Sequence, residues 1–175
     1  LVISNALNEI NATGWYLPTP SAFTKPEIEA VKQWVKGGGR LFLIADHMPM
    51  AGAAEELAAA FGFEFTNGFV FDTIAQGPAL FNYEDETLIS SPITKGREES
   101  ESVTQIATFT GQAFRVPEKA TPILVFDDRY MNFLPEVAWE FNSTTQRYNV
   151  GGMCQGAYVK FGKGRVVAFG EAAMF

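Results

Sequence analysis

Gly37-Gly38-Gly39-Arg40-Leu41-Phe42-Leu43-Ile44-Ala45-Asp46-His47 is the stretch whose reading decides the fold. A glycine stop is followed by a run of apolar residues suited to burial on both faces, and the run ends in Asp46-His47. Upstream, Thr24-Lys25-Pro26-Glu27 reads as a capping box with proline in the first turn. Ile28, Val31, Trp34 and Val35 then share one face of a helix from about Lys25 to Lys36, ended by Gly37. Helix, turn and buried strand in this order predict an α/β sheet. In such sheets ligands bind just beyond the carboxyl ends of the strands. His47, the only histidine in the chain, falls there.

Working outward, Leu1-Val2-Ile3-Ser4 reads as a buried parallel strand. It leads into a polar connection, Asn5 to Ser21, long enough to carry function. Downstream of His47, the alanine-rich segment from Ala53 to Phe61 predicts a helix stopped by Gly62 and anchored by Leu57 and Phe61. Phe63 to Phe65 predicts a third strand, followed by an Asn67-Gly68 turn and Phe69-Val70-Phe71. This alternation predicts a parallel, doubly wound opening. The polar segment from Phe81 to Ser102 reads as an exposed excursion. Ser102 to Phe109 and Pro122 to Phe126 read as strands. Gly156 to Phe161 and Arg165 to Gly170, joined by Gly162-Lys163-Gly164, predict an antiparallel hairpin. The whole is a mixed sheet in a single domain spanning 1–175, with both ends appearing trimmed.

Composition narrows the function. The chain has 175 residues, 47% hydrophobic and 19% charged, which fits a soluble globular domain. A net charge of −7 with thirteen scattered basic residues argues against a nucleic-acid partner. No apolar run approaches the roughly 18–20 residues of a membrane helix, so no membrane insertion is expected. A single cysteine rules out an internal disulfide framework and a cysteine-rich zinc site. No cofactor motif is present: the glycines at 37–39 lack the spacing and the preceding strand of a nucleotide loop.

The candidate site residues follow from the strand-end rule. His47 is a candidate general base, because histidine is the residue type suited to proton transfer near neutral pH. Asp46 either orients it or caps the next helix, since adjacent residues of an extended segment face opposite ways. Glu171 ends the strand Arg165 to Gly170; were that strand parallel to the second, Glu171 and His47 would share a rim, where the carboxylate orients the imidazole or binds a polar ligand, the alternative being an N-cap or first-turn acid of a following helix. Asn5 ends the first strand and can present an amide to a substrate, and Trp15 and Tyr16 can wall an apolar or sugar-like ligand. Asp127-Asp128-Arg129 reads as a turn with a local ion pair. Ser4 lacks the turn that exposes a nucleophilic serine. Gly152-Met153-Cys154-Gln155-Gly156 matches a nucleophile-elbow pattern, but a strand follows it where a helix is required, so Cys154 is read as a chance match. A metal site is not expected, because no ligand-spaced motif accompanies His47.

Trp34 to His47 and Gly162 to Glu171 together resemble the class I glutamine-amidotransferase-like family, in particular its ThuA-like branch without the amidotransferase cysteine. The resemblance implies a three-layer, mostly parallel, flavodoxin-like sheet with a site near His47. It does not imply glutaminase chemistry: the family's cysteine precedes its histidine, whereas Cys154 follows His47. The expectation is a small-molecule substrate, with hydrolysis of an ester, lactone or glycan-related compound. The alternative is a non-catalytic ligand-binding or interaction domain.

Overall fold

The computed structural model describes residues 1–75 and 77–175. Its strands are β1 (Val2–Ser4), β2 (Arg40–Ile44), β3 (Glu64–Phe65), β4 (Phe69–Asp72), β5 (Ala79–Asn82), β6 (Gln105–Thr108), β7 (Phe114–Arg115), β8 (Thr121–Val125), β9 (Tyr130–Leu134), β10 (Gln146–Asn149), β11 (Cys154–Phe161) and β12 (Gly164–Phe169). The helices are α1 (Glu9–Ala12), α2 (Lys25–Lys36), α3 (Met50–Ala59) and α4 (Pro92–Lys95). A seven-stranded sheet runs β1-β2-β12-β11-β7-β3, with β8 also paired to β11. β4, β9 and β10 form a second sheet, and β5 and β6 a third. The fold is thus mixed α/β, with a parallel core and antiparallel additions. Among the described residues no helix is long and apolar enough to cross a membrane.

The parallel core is β1, β2 and β12, with Ser4 beside Ile44 and Ile44 beside Phe169. Three strands therefore end level, and the residues just beyond them form one rim. On one face, Leu41, Leu43, Val166 and Ala168 pack with Val35 of α2 and with Ala54, Leu57 and Ala58 of α3. On the other, Phe42, Val167 and Phe169 meet a cluster built on Phe81, Leu88, Ile123, Leu124 and Phe126. Burying these side chains is the main stabilising term of the sheet.

The predicted α2 forms with both halves of its capping box: Thr24 Oγ1 accepts from the Glu27 amide, and Glu27 accepts from the Thr24 amide. The hairpin β11–β12 also forms as read. Four expectations are corrected. β1 is parallel but is an edge strand, so Val2 is 63% exposed rather than buried. β3 is not part of a parallel run: it pairs antiparallel with β7, because the chain after α3 crosses to the far edge of the sheet. α3 starts at Met50 rather than Ala53, its first turn closed by the His47 carbonyl, which accepts from Met50 and Ala51. The segment from Phe81 to Ser102 is anchored rather than loose. Phe81 and Leu88 are buried in the core, and Ser91 and Thr94 form a second capping box at α4.

Candidate functional site

The rim beyond β1, β2 and β12 brings Asn5, Asp46 and Glu171 side by side. Asn5 adopts φ +47°, a left-handed conformation that asparagine tolerates better than most residues. There its Oδ1 accepts from the Asp46 amide at 2.9 Å, while its own amide donates to the Ile44 carbonyl at 3.0 Å. Asp46 Oδ1 accepts from the His47 amide at 2.7 Å, which turns the backbone immediately after the strand. Its other oxygen accepts from the Ala172 amide at 3.3 Å and so ties β2 to the segment after β12. Burial, followed by the nearby charge of Glu171, raises the Asp46 carboxyl above the usual carboxylate range; the hydrogen bond from the His47 amide opposes this.

Glu171 is 2% exposed. Its Oε2 accepts from the amides of Phe109 and Thr110 at 3.0 and 3.1 Å, and its Oε1 from the Ala173 amide at 2.9 Å. Below it, Gln112 accepts from the Thr66 amide and donates to the Ala45 carbonyl, and Gln155 accepts from Thr108 and donates to the Thr110 carbonyl. The chain passes Gly170 so closely at Gly111, with φ +60°, that a side chain there would strike the Gly170 carbonyl and the Gln155 amide. β12 is parallel to β2 as the shared-rim expectation required, but the neighbour of Glu171 is Asp46 rather than the imidazole.

His47 lies on the turn between β2 and α3. Its Nδ1 is 2.7 Å from the Met48 carbonyl oxygen. A carbonyl can only accept, so Nδ1 carries the proton and the neutral ring keeps a lone pair on Nε2. Nε2 is 4.0 Å from Asp46 Oδ1, beyond direct hydrogen-bond range. Around the ring, Phe69 of β4 stacks at 4.4 Å, Trp139 meets it edge-on at 4.8 Å, and Trp15 does so at 5.9 Å. These rings leave His47 9% exposed. Tyr16 forms a backbone bridge with Val137 and its side chain is exposed; Trp15 beside it packs on the ring.

Asp46 thus reaches toward the imidazole because the backbone turns, a geometry that an extended strand would not allow. Its carboxylate caps the turn, not the helix, whose N-cap is Pro49 without a side-chain bond. Sequence reasoning missed Phe69, Trp139, Gln112 and the Met48 carbonyl. Phe69 and Trp139 lie far from His47 in sequence, and no local pattern connects them to it. Cys154 sits at the start of β11, buried, its thiol pushed up to about 12 by burial. Asp127 and Arg129 form the expected local ion pair, 2.7 Å apart. Among the described residues no three His, Cys, Asp or Glu side chains gather in a way that could hold a metal ion.

No family model matches the sequence, and no curated protein matches it. Solved structures do match. The mmIFT52 N-terminal domain superposes with a TM-score of 0.59 at 16% identity, covering 87% of this chain and 62% of that one. The cytoplasmic protein STM1381 from Salmonella typhimurium LT2 gives 0.54 at 14% identity, covering 98% and 60%. A ThuA-like protein from Bacteroides uniformis ATCC 8492 gives 0.48 at 13% identity, covering 86% and 56%, too loose a superposition to argue from. The chain thus spans about three fifths of the length of the first two structures it matches. The relationship is a distant one of fold, without a sequence family.

Proposed function

We propose that the rim at His47 is a small-molecule site and that its chemistry is hydrolysis of an ester, lactone or glycan-related substrate. The observation that carries this reading is the 2.7 Å contact between His47 Nδ1 and the Met48 carbonyl, which leaves Nε2 as the basic nitrogen. In the reaction Nε2 takes a proton from water as its oxygen attacks the electrophilic carbon, then returns it to the leaving oxygen. Asp46, 4.0 Å away, supports the imidazolium formed in between. Trp15 and Trp139 offer ring faces to an apolar or sugar-like substrate. Glu171 and Asn5, with the backbone partners described above, hold the rim in shape. We read the architecture as the three-layer, flavodoxin-like form of the amidotransferase-like fold, used without glutaminase chemistry; the buried, high-pKa thiol of Cys154 favours that reading.

The test is turnover of a panel of esters, lactones and glycosides by the wild-type chain and by His47→Gln. A general base contributes on the order of 10²–10⁴ in rate, so the variant should lose at least about a hundredfold in kcat/KM. Equal turnover by both proteins would remove His47 from the chemistry. A second reading, a non-catalytic binding or interaction domain, is favoured by the tight ring packing over His47. It predicts no turnover of any panel member by the wild-type protein.

A further inference from the structure

Two segments distant in sequence close over His47 and are joined to each other. The Leu17 amide donates to the Glu136 carbonyl at 2.8 Å, and the Ala138 amide donates to the Trp15 carbonyl at 2.8 Å, with Tyr16 opposite Val137. Each segment carries one of the tryptophans that pack on the imidazole. We propose that this strap, Trp15–Leu17 paired with 136–139, is a gate that controls access to His47.

The two halves are built differently. Asn11 is fully buried, and its Nδ2 donates to the carbonyls of Gly14 and Tyr16 at 3.1 and 3.0 Å, pinning the first half to α1. The second half belongs to the loop between β9 and β10, held at its far end by the turn in which Asn142 and Thr145 bond each other. Trp139 closes the site at φ +69°, a conformation strained for a bulky residue, while remaining 50% exposed. A segment fastened to its partner by two backbone hydrogen bonds, and to Phe69 and His47 beneath by the edge-on contacts of one strained, half-exposed ring, opens more readily than the core beneath it. The moving half is therefore 136–139. Its release takes Trp139 off the imidazole and leaves Trp15 as a fixed wall. Opening does not depend on whether His47 turns over substrate.

The single histidine serves as its own probe: diethyl pyrocarbonate carbethoxylates accessible imidazole, and mass spectrometry reads the extent at His47. Two proteins test the gate. Trp139→Gly removes the ring and relieves the positive φ, and it should raise the modification rate by about tenfold or more, the change expected when a minor open state becomes the major one. The second is the double variant Tyr16→Cys with Val137→Cys. The flanking hydrogen bonds make these a non-hydrogen-bonded antiparallel pair, with Cα atoms about 4.5 Å apart, a spacing that accepts a disulfide. Oxidised, it should protect His47 several-fold relative to the same protein reduced, so each protein is its own control for folding. Equal rates in the oxidised and reduced forms, or an unchanged rate in Trp139→Gly, would overturn the gate. Turnover by the wild-type chain is a separate readout, so failure of the gate and failure of the proposed hydrolysis are distinguishable.

Discussion

The ends of β2 and β12 are neighbours in a parallel pair, level in register, and both continue into an acidic residue, yet they differ in kind. At the end of β12 the Glu171 carboxylate is saturated by three backbone amides and sealed from solvent. At the end of β2 Asp46 likewise binds backbone amides, but among the described residues Nε2 of the next residue, His47, has no partner at hydrogen-bond distance. A position at the carboxyl edge of a sheet is therefore not enough to leave a group free to bind anything further. What separates the two ends is unused hydrogen-bonding capacity: Glu171 has spent its own on holding 109–110 and 173, and the imidazole has kept one nitrogen in reserve.

The largest effect should come from the saturated end. Glu171→Ala strips an acceptor from three partly buried amides and should cost about 3 kcal/mol in urea unfolding, with Glu171→Gln losing less because one oxygen remains. If Glu171→Ala unfolds at the wild-type midpoint, the clasp is not holding the rim, and the contrast between the two ends fails.

Next comes the pH dependence of Asp46. Because burial and the charge of Glu171 raise its pKa, the folded chain holds this proton more tightly than the unfolded chain does. The contribution of Asp46 to stability is therefore fully present below the ordinary carboxylate range and is lost as pH rises through the raised folded value. Asp46→Asn keeps an oxygen to accept from the His47 amide and removes the titration. Its stability should accordingly decline less than that of the wild-type protein across that window, measured as unfolding midpoints over a pH series. Parallel curves would show that Asp46 does not carry the shift.

The smallest effect is at Asn5. Asn5→Gly loses the bond to the Asp46 amide but suits φ +47°, and it should cost about 1 kcal/mol. Asn5→Ala loses the same bond and adds the penalty of a left-handed alanine, about 1 kcal/mol more. The difference between the two variants, read from their unfolding midpoints, separates the hydrogen bond from the backbone strain.

The features legible in advance were those written within a few residues of one another. Thr24 and Glu27 are three apart and cap each other across one turn, so α2 was readable to its ends. Gly162 and Lys163 leave room only for a tight hairpin between β11 and β12. β3 departs from the expected parallel run because a strand of two residues carries too little pattern to state its partner or direction. α3 begins earlier than its sequence pattern suggests because its first turn is closed by a backbone carbonyl, which has no side-chain signature. Strand ends alone point to His47, Asp46, Glu171 and Asn5, but the backbone partners that Asn5 and Glu171 take are not visible in the sequence. An amide or carboxylate looks the same in sequence whether its partners are solvent, substrate or backbone.

The sequence by itself determined the pairing of a buried second strand with the capped helix before it, the β11–β12 hairpin and the position of the only imidazole at a strand end. These follow from periodicity, glycine stops and caps, all of which act over a turn or less. Only the tertiary structure decided which nitrogen of His47 is free, that Phe69, Trp15 and Trp139 enclose it, and that Glu171 is consumed by backbone amides. Each of these depends on contacts between residues far apart in the chain, and such contacts exist only once the strands have found their neighbours.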